Sequence, residues 1–297
     1  MMLATKRFLC RGRGSFLRPR VGFWFAPTTR EFSLCINLEE LEDPSIESFS
    51  ERLIDKEDGA IAPLKLKLSC IKEWPALSVP EKRWDDFAQL KNRILEDKLV
   101  PLEIGQSYMD PSIQKARVPL KLYLDYLITA KEEFQTQEDN AQERISAQSS
   151  QELAYLAQHR LFEEVPELAA DISTPYLCRH TGRGDSYGTN AWFGPHGTVS
   201  PMHTDPYHNI LVQVVGRKYI RLYSPDDSNA IPRSADPRQQ NTCSVFDLEE
   251  PTASAALQGL RYYEVTLEPG EALFIPRRWW HYCRSKTVSC SVNFWWL

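Results

Sequence analysis

The chain has 297 residues, 42% of them hydrophobic and 25% charged, which allows a sizeable core in one large or two small domains and excludes a mostly disordered polymer. No apolar run reaches the ~20 residues that a membrane-spanning helix needs. The formal net charge of −5 is unevenly placed: residues 1–30 hold Lys6, Arg7, Arg11, Arg13, Arg18, Arg20 and Arg30 and no acid, leaving 28 of the 35 bases against all 40 acids, a net of −12, on residues 31–297. An acidic body argues against a protein that tracks nucleic-acid phosphates and suits a cationic peptide partner.

Residues 1–33 mix these bases with Phe8, Phe16, Phe23, Trp24 and Phe25. The composition fits a mitochondrial presequence ending near Arg30-Glu31-Phe32-Ser33, and fits a disordered basic arm equally well. Residues 34–58 are acidic and weakly patterned, so residues 1–58 are expected to be arm and connector. Leu64, Leu66 and Leu68 alternate as in a strand, which Trp74-Pro75 ends. Trp84, Phe87, Leu90, Ile94 and Leu95 recur at helical spacing, predicting an amphipathic helix over 84–98. Pro119 is placed to start a helix that runs to about Ala130. Residues 132–152, rich in Gln, Glu and Ser, read as an exposed insertion. From 153 onward, alternating segments at 209–215, 218–223, 262–267, 271–275 and 287–296, separated by Gly, Pro, Asp and Asn, predict antiparallel β structure, a sandwich or jelly roll. The seven cysteines are scattered, with no C-x-x-C pair and no N-x-[ST] sequon in the chain, which points to a reducing compartment.

His203-Thr204-Asp205 is the sharpest local feature. Residues two apart in an extended segment share a face, so His203 and Asp205 can reach one metal, and His281 on a distant strand would complete two imidazoles and a carboxylate. On spacing alone a histidine satisfied by hydrogen bonds is the commoner case, and His159, His180, His196 and His208 are read that way.

Leu211–Val215 and Lys218–Tyr223 flank Gly216-Arg217, a gap that suits a two-residue hairpin. That hairpin would pair Val215 with Lys218, Gln213 with Ile220 and Leu211 with Leu222. Counting back by twos puts Asn209, Tyr207, Asp205 and His203 on the same face. Lys218 then lies among inward apolar residues, where an ammonium is costly unless it meets an anion. A hairpin flipped by one residue, or a lysine snorkelling at a barrel mouth, would also explain it. In the last strand Ser289, Ser291, Asn293 and Trp295 share a face that suits either a pocket wall or a solvated surface.

Several segments together resemble JmjC-domain 2-oxoglutarate oxygenases. They are Asn190–Pro195 (NAWFGP), Ser200–Pro206 (SPMHTDP), Asn209–Pro225 (NILVQVVGRKYIRLYSP), Pro269–Pro276 (PGEALFIP), Trp280-His281-Tyr282 and Phe294-Trp295-Trp296. Tyr155–His159, Leu161-Phe162 and Pro166–Leu168 are similar too, and residues 61–130 match more loosely. The resemblance covers roughly residues 60–297 and implies a mainly β fold with flanking helices, a double-stranded β-helix of the jelly-roll or cupin type. A catalytic domain is then expected over 59–297, with a helix-and-strand part at 59–131 and the β-helix core at 153–297. By resemblance His203, Asp205 and His281 are the ligands of Fe(II). Lys218 pairs with the distal carboxylate of the cosubstrate 2-oxoglutarate. Tyr155, Ser200 and Asn209 are polar cosubstrate contacts, and Trp192 and Trp295 line that pocket. Thr204 and the pair Tyr207-His208 depart from the usual family residues.

The implied activity is that of an Fe(II)- and 2-oxoglutarate-dependent dioxygenase using molecular oxygen to hydroxylate a protein side chain, arginine in preference. N-methyl-lysine demethylation of a histone by the same chemistry stays open. A non-catalytic cupin scaffold is the alternative from another class. The implied partner is a basic protein or peptide bearing arginine or lysine, histone or ribosome-associated, with no nucleic-acid or membrane contact. The expected state is a monomer, because the chain ends just after the final strand. The expected compartment is the nucleus or cytoplasm, or the mitochondrion if the basic arm is a presequence.

Overall fold

The computed structural model describes residues 34–54, 61–105, 109, 112–139, 153–245, 247–249 and 255–297. The expected basic arm and residues 140–152 of the expected insertion lie outside them. In chain order the strands are β1 (Cys35–Ile36), β2 (Glu39–Glu42), β3 (Leu64–Lys67), β4 (Leu99–Ile104), β5 (Gln114–Pro119), β6 (Ala154–His159) and β7 (Ser186–Gly194). They continue as β8 (Val199–Thr204), β9 (His208–Val215), β10 (Lys218–Tyr223), β11 (Tyr262–Leu267), β12 (Ala272–Ile275), β13 (Trp280–Ser285) and β14 (Ser289–Trp296).

Two sheets result, ordered β1-β11-β10-β13-β8 and β2-β3-β12-β9-β14-β7-β6-β4-β5. From β7 to β10, and again from β11 to β14, each successive strand lies in the opposite sheet from its predecessor. That alternation is a jelly roll, with an inner space between the sheets. The five segments that alternate in sequence correspond to β9, β10, β11, β12 and β14.

The expected hairpin does not form. β9 pairs with β12 and β14, whereas β10 pairs with β11 and β13. Gly216-Arg217 instead carries the chain from one sheet to the other. The inward placement of Leu211, Ile220 and Leu222 nevertheless holds, because Leu211 of one sheet meets Ile220 and Leu222 of the other in one apolar cluster, whereas Val215, also expected inward, packs with Ile210 and Val212 beyond a register shift in the β9–β14 pairing. Gly216 has φ 68°, and a Cβ there would stand 2.0 Å from the carbonyl oxygen of Val288, so this crossing needs glycine. Gln213 secures it by donating from Nε2 to the carbonyls of Val215 and Gly216 at 2.6 and 3.1 Å.

β9 and β14 are buried along their whole length. Their inner faces line the space between the sheets. Their outer residues, among them Ile210, Val212, Phe294 and Trp296, pack under a helical layer that includes Phe49, Trp74, Trp84 and Leu124. Asp171 ties that layer together. It is fully buried, accepts from the Trp84 indole at 3.0 Å and meets the Arg93 guanidinium at 2.7 Å; a buried carboxylate is tolerable only when paired in this way.

Three boundaries differ from expectation. Residues 34–54 are not a bare connector. They form β1, β2 and the helix Ile46–Arg52, anchored by the fully buried Phe49 against Phe274 at a ring separation of 5.0 Å. One aromatic in a short acidic segment leaves no periodicity to read. The helix after Pro119 runs over Leu120–Asp139, so residues 132–139 of the expected insertion continue it. Farther upstream, the helix expected at 84–98 is confined to Phe87–Arg93, capped by the Asp86 side chain accepting from the Gln89 N–H.

Candidate metal centre and its pocket

His203 on β8 and His281 on β13 are directly opposed in the antiparallel ladder. Asp205 lies just beyond β8, where its carbonyl accepts the N–H of Arg278 at 2.7 Å. Asp205 Oδ1 is 3.9 Å from His203 Nε2, and Oδ2 is 3.6 Å from His281 Nε2. One ligand atom from each of the three falls within 4.8 Å of the others.

The far side of each ring is fixed by the backbone. His203 Nδ1 is 2.8 Å from the Pro201 carbonyl and His281 Nδ1 is 3.0 Å from that of Trp279. A proton on each Nδ1 satisfies these carbonyls and leaves each Nε2 lone pair facing Asp205. Burial, helped by the adjacent His203, pushes the His281 pKa down to about 4, so that ring is neutral near pH 7. Two imidazoles and one carboxylate, converging from one side, are a fitting donor set for a divalent transition metal with open positions.

The three groups open into a pocket between the sheets. Tyr155, Trp192, Ser200, Asn209 and Lys218, each expected from the sequence, line it together with Asn293. Lys218 is 2% exposed. Among the described residues no carboxylate forms an ion pair with it, and its Nζ stands 5.9 Å from the centre of the Tyr155 ring. Burial pushes its pKa down to about 8. An unpaired buried ammonium is a strong demand for an anionic ligand. The Tyr155 hydroxyl, hydrogen-bonded to Ser200, is pushed well above its usual range by burial and stays protonated.

Of the two indoles expected on the lining, one is there and one is not. Trp192 lines the pocket, but its N–H is committed to Asn293 Oδ1 at 2.7 Å. Trp295 is not among the lining residues. It lies one alternation beyond Asn293, 5.7 Å from the Tyr207 ring, and Tyr207 stacks on Tyr187 at 3.9 Å. His208 packs between Phe274 and Trp296 as a core residue.

Sequence reasoning missed Cys283 and Ile275 on the lining, and Glu103. Glu103 on β4 is the cross-strand partner of Tyr155. Burial raises its carboxyl pKa, against the opposing pull of Lys115. The buried Val100 and Leu102 on β4 were a readable alternation that leaves Glu103 on the opposite face.

A family model described as Cupin-like domain matches residues 63–297. Lysine-specific demethylase 8 of Danio rerio is 38% identical over 257 residues, covering 85% of this chain and 56% of the relative. Jumonji C domain-containing protein 5 of Drosophila melanogaster is 34% identical over 274 residues, covering 91% and 62%. Lysine-specific demethylase JMJ30 of Arabidopsis thaliana is 38% identical over 224 residues, covering 75% and 47%. The chain thus spans about half to three fifths of the length of these curated relatives.

Proposed function

The chain belongs to the cupin-like family and to its JmjC members, a group of Fe(II)- and 2-oxoglutarate-dependent oxygenases, and from that premise we propose that it is itself such an enzyme, hydroxylating a side chain of a basic protein, arginine in preference. The observation that carries this reading is the placement in one pocket of the His203–Asp205–His281 donor set and the buried Lys218, which has no carboxylate partner among the described residues.

His203, Asp205 and His281 would hold the metal, and Lys218 the far carboxylate of 2-oxoglutarate through a charge-assisted contact. Fe(II) bound there, with 2-oxoglutarate and oxygen, supplies an oxidation that turns a substrate C–H into C–OH and releases succinate and carbon dioxide. The chain's own part is positional. The backbone carbonyls of Pro201 and Trp279 set the two ring tautomers, and the apolar cluster around Leu211, Ile220 and Cys283 keeps the inner end dry. The acidic body favours a cationic substrate.

A second reading has its own support, the names of the relatives. Demethylation of an N-methyl-lysine begins with hydroxylation of the methyl carbon, so the same site serves it. Incubating the protein with Fe(II), 2-oxoglutarate and a library of basic peptides, followed by mass spectrometry, separates the two. A gain of one oxygen on arginine peptides supports the first reading. Loss of a methylene from methyl-lysine peptides replaces it with the second. Neither change, with no succinate formed, favours a cupin that binds without catalysis.

A further inference from the structure

The pocket wall carries a hydrogen-bond chain with a direction. An indole nitrogen can only donate, and that of Trp192 donates to Asn293 Oδ1 at 2.7 Å. Asn190 Nδ2 donates to the same oxygen at 3.2 Å. With its oxygen turned toward two donors, Asn293 has its NH2 on the other side, where it donates to Asn209 Oδ1 at 3.1 Å. The Asn209 oxygen is thereby turned toward Asn293, with one of its lone pairs engaged. Its own NH2 is left for the pocket, and among the described residues it donates to no protein acceptor.

All three amides are buried, so an unmet donor here is costly. An amide is ordinarily ambiguous, because oxygen and nitrogen can exchange places. The indole removes the ambiguity. If Asn293 were turned over, its NH2 would face the Trp192 N–H. If Asn209 were turned over, two NH2 groups would face each other.

We propose that Asn293 is a positioning residue: it transmits the fixed polarity of the Trp192 indole to Asn209, so that the pocket presents an N–H donor there and selects a ligand offering an acceptor oxygen, a carboxylate or keto group. The proposal rests on the reading that this pocket takes 2-oxoglutarate. Tyr155 and Lys218 line the same pocket, and a donor beside an ammonium suits an anion doubly.

The test is a double-mutant cycle on binding, not turnover. Anaerobic titration of 2-oxoglutarate into the Fe(II)-loaded protein is performed for wild type, Asn293→Leu, Asn209→Ala and the double variant, with Fe(II) affinity measured separately. Asn293→Leu is expected to weaken 2-oxoglutarate by about tenfold, the size of one buried charge-assisted hydrogen bond, leaving Fe(II) affinity unchanged. In the Asn209→Ala background it should cause no further loss, since nothing remains to be oriented. The Trp192 indole N–H resonance should move upfield in Asn293→Leu as its acceptor is removed. Equal losses in both backgrounds, or wild-type affinity in Asn293→Leu, would overturn the proposal. Asn293→Ser, too short to bridge Trp192 and Asn209, takes the place of Asn293→Leu in the same cycle if the leucine variant fails to fold. Failure of wild type to bind 2-oxoglutarate at all would instead remove the functional reading beneath it.

Discussion

Lys218 concentrates the argument at the scale of a residue. It is nearly fully buried and, among the described residues, has no carboxylate partner, an arrangement that costs stability and is useful only when an anion arrives. Lys218→Met should therefore act in opposite directions on two measurements. The unliganded protein should melt higher, by an amount corresponding to about 1–3 kcal/mol, while 2-oxoglutarate affinity should drop about 10- to 100-fold. The pH dependence has a defined sign. The anion binds the protonated ammonium, and burial holds the free pKa near about 8. Affinity should be flat below neutrality and weaken as pH rises through 8, approaching about tenfold per pH unit above it. Lys218→Met should lose that dependence, which titration by calorimetry at several pH values would measure. Residues of this kind were legible because alternation places side chains on faces. His203, Asp205, Asn209 and Lys218 emerge on one side by counting in twos. Trp192 and Trp295 were less legible, because which indole reaches the pocket depends on the partners of its N–H and on the rings beside it.

At the scale of an element, the Gly216-Arg217 crossing shows where sequence patterns mislead. A two-residue gap between alternating segments reads equally as a hairpin or as a passage between sheets. The deciding feature is that β9 is buried along its whole length, with Ile210, Val212 and Val214 packed into one apolar cluster and Leu211 into another. Such a strand is central and covered twice, and its successor is free to join the opposite sheet. Leu211, Ile220 and Leu222 kept their expected side because crossing and hairpin both leave them facing the space between the sheets. Gly216→Ala should cost about 1–3 kcal/mol, through its positive φ and the contact with the Val288 carbonyl. A denaturant midpoint would measure this, and the metal-binding residues should be unaffected. A midpoint equal to wild type would mean that the crossing is not held as described.

For the molecule as a whole, the segment at 34–54 belongs to the domain that carries the site. Phe49 is fully buried and meets the Phe274 ring edge-on, so Phe49→Ala should destabilise the protein by about 3–5 kcal/mol, read as a lowered melting temperature. Neither its acidity nor its lack of periodicity announced this, since one buried ring suffices to dock a short helix. The acidic charge of residues 31–297 should speed association with a basic peptide at low salt, and the advantage should fade as ionic strength rises. Charge of this sort sets encounter, whereas the chemistry belongs to three side chains that the jelly roll brings together from β8, the turn after it and β13. That convergence is tested most directly by adding Fe(II) and then 2-oxoglutarate to the protein without oxygen and recording the visible spectrum. A weak charge-transfer band in wild type that is absent from His203→Ala is the predicted result. No band in wild type would contradict the oxygenase assignment, and an undiminished band in His203→Ala would contradict the ligand assignment.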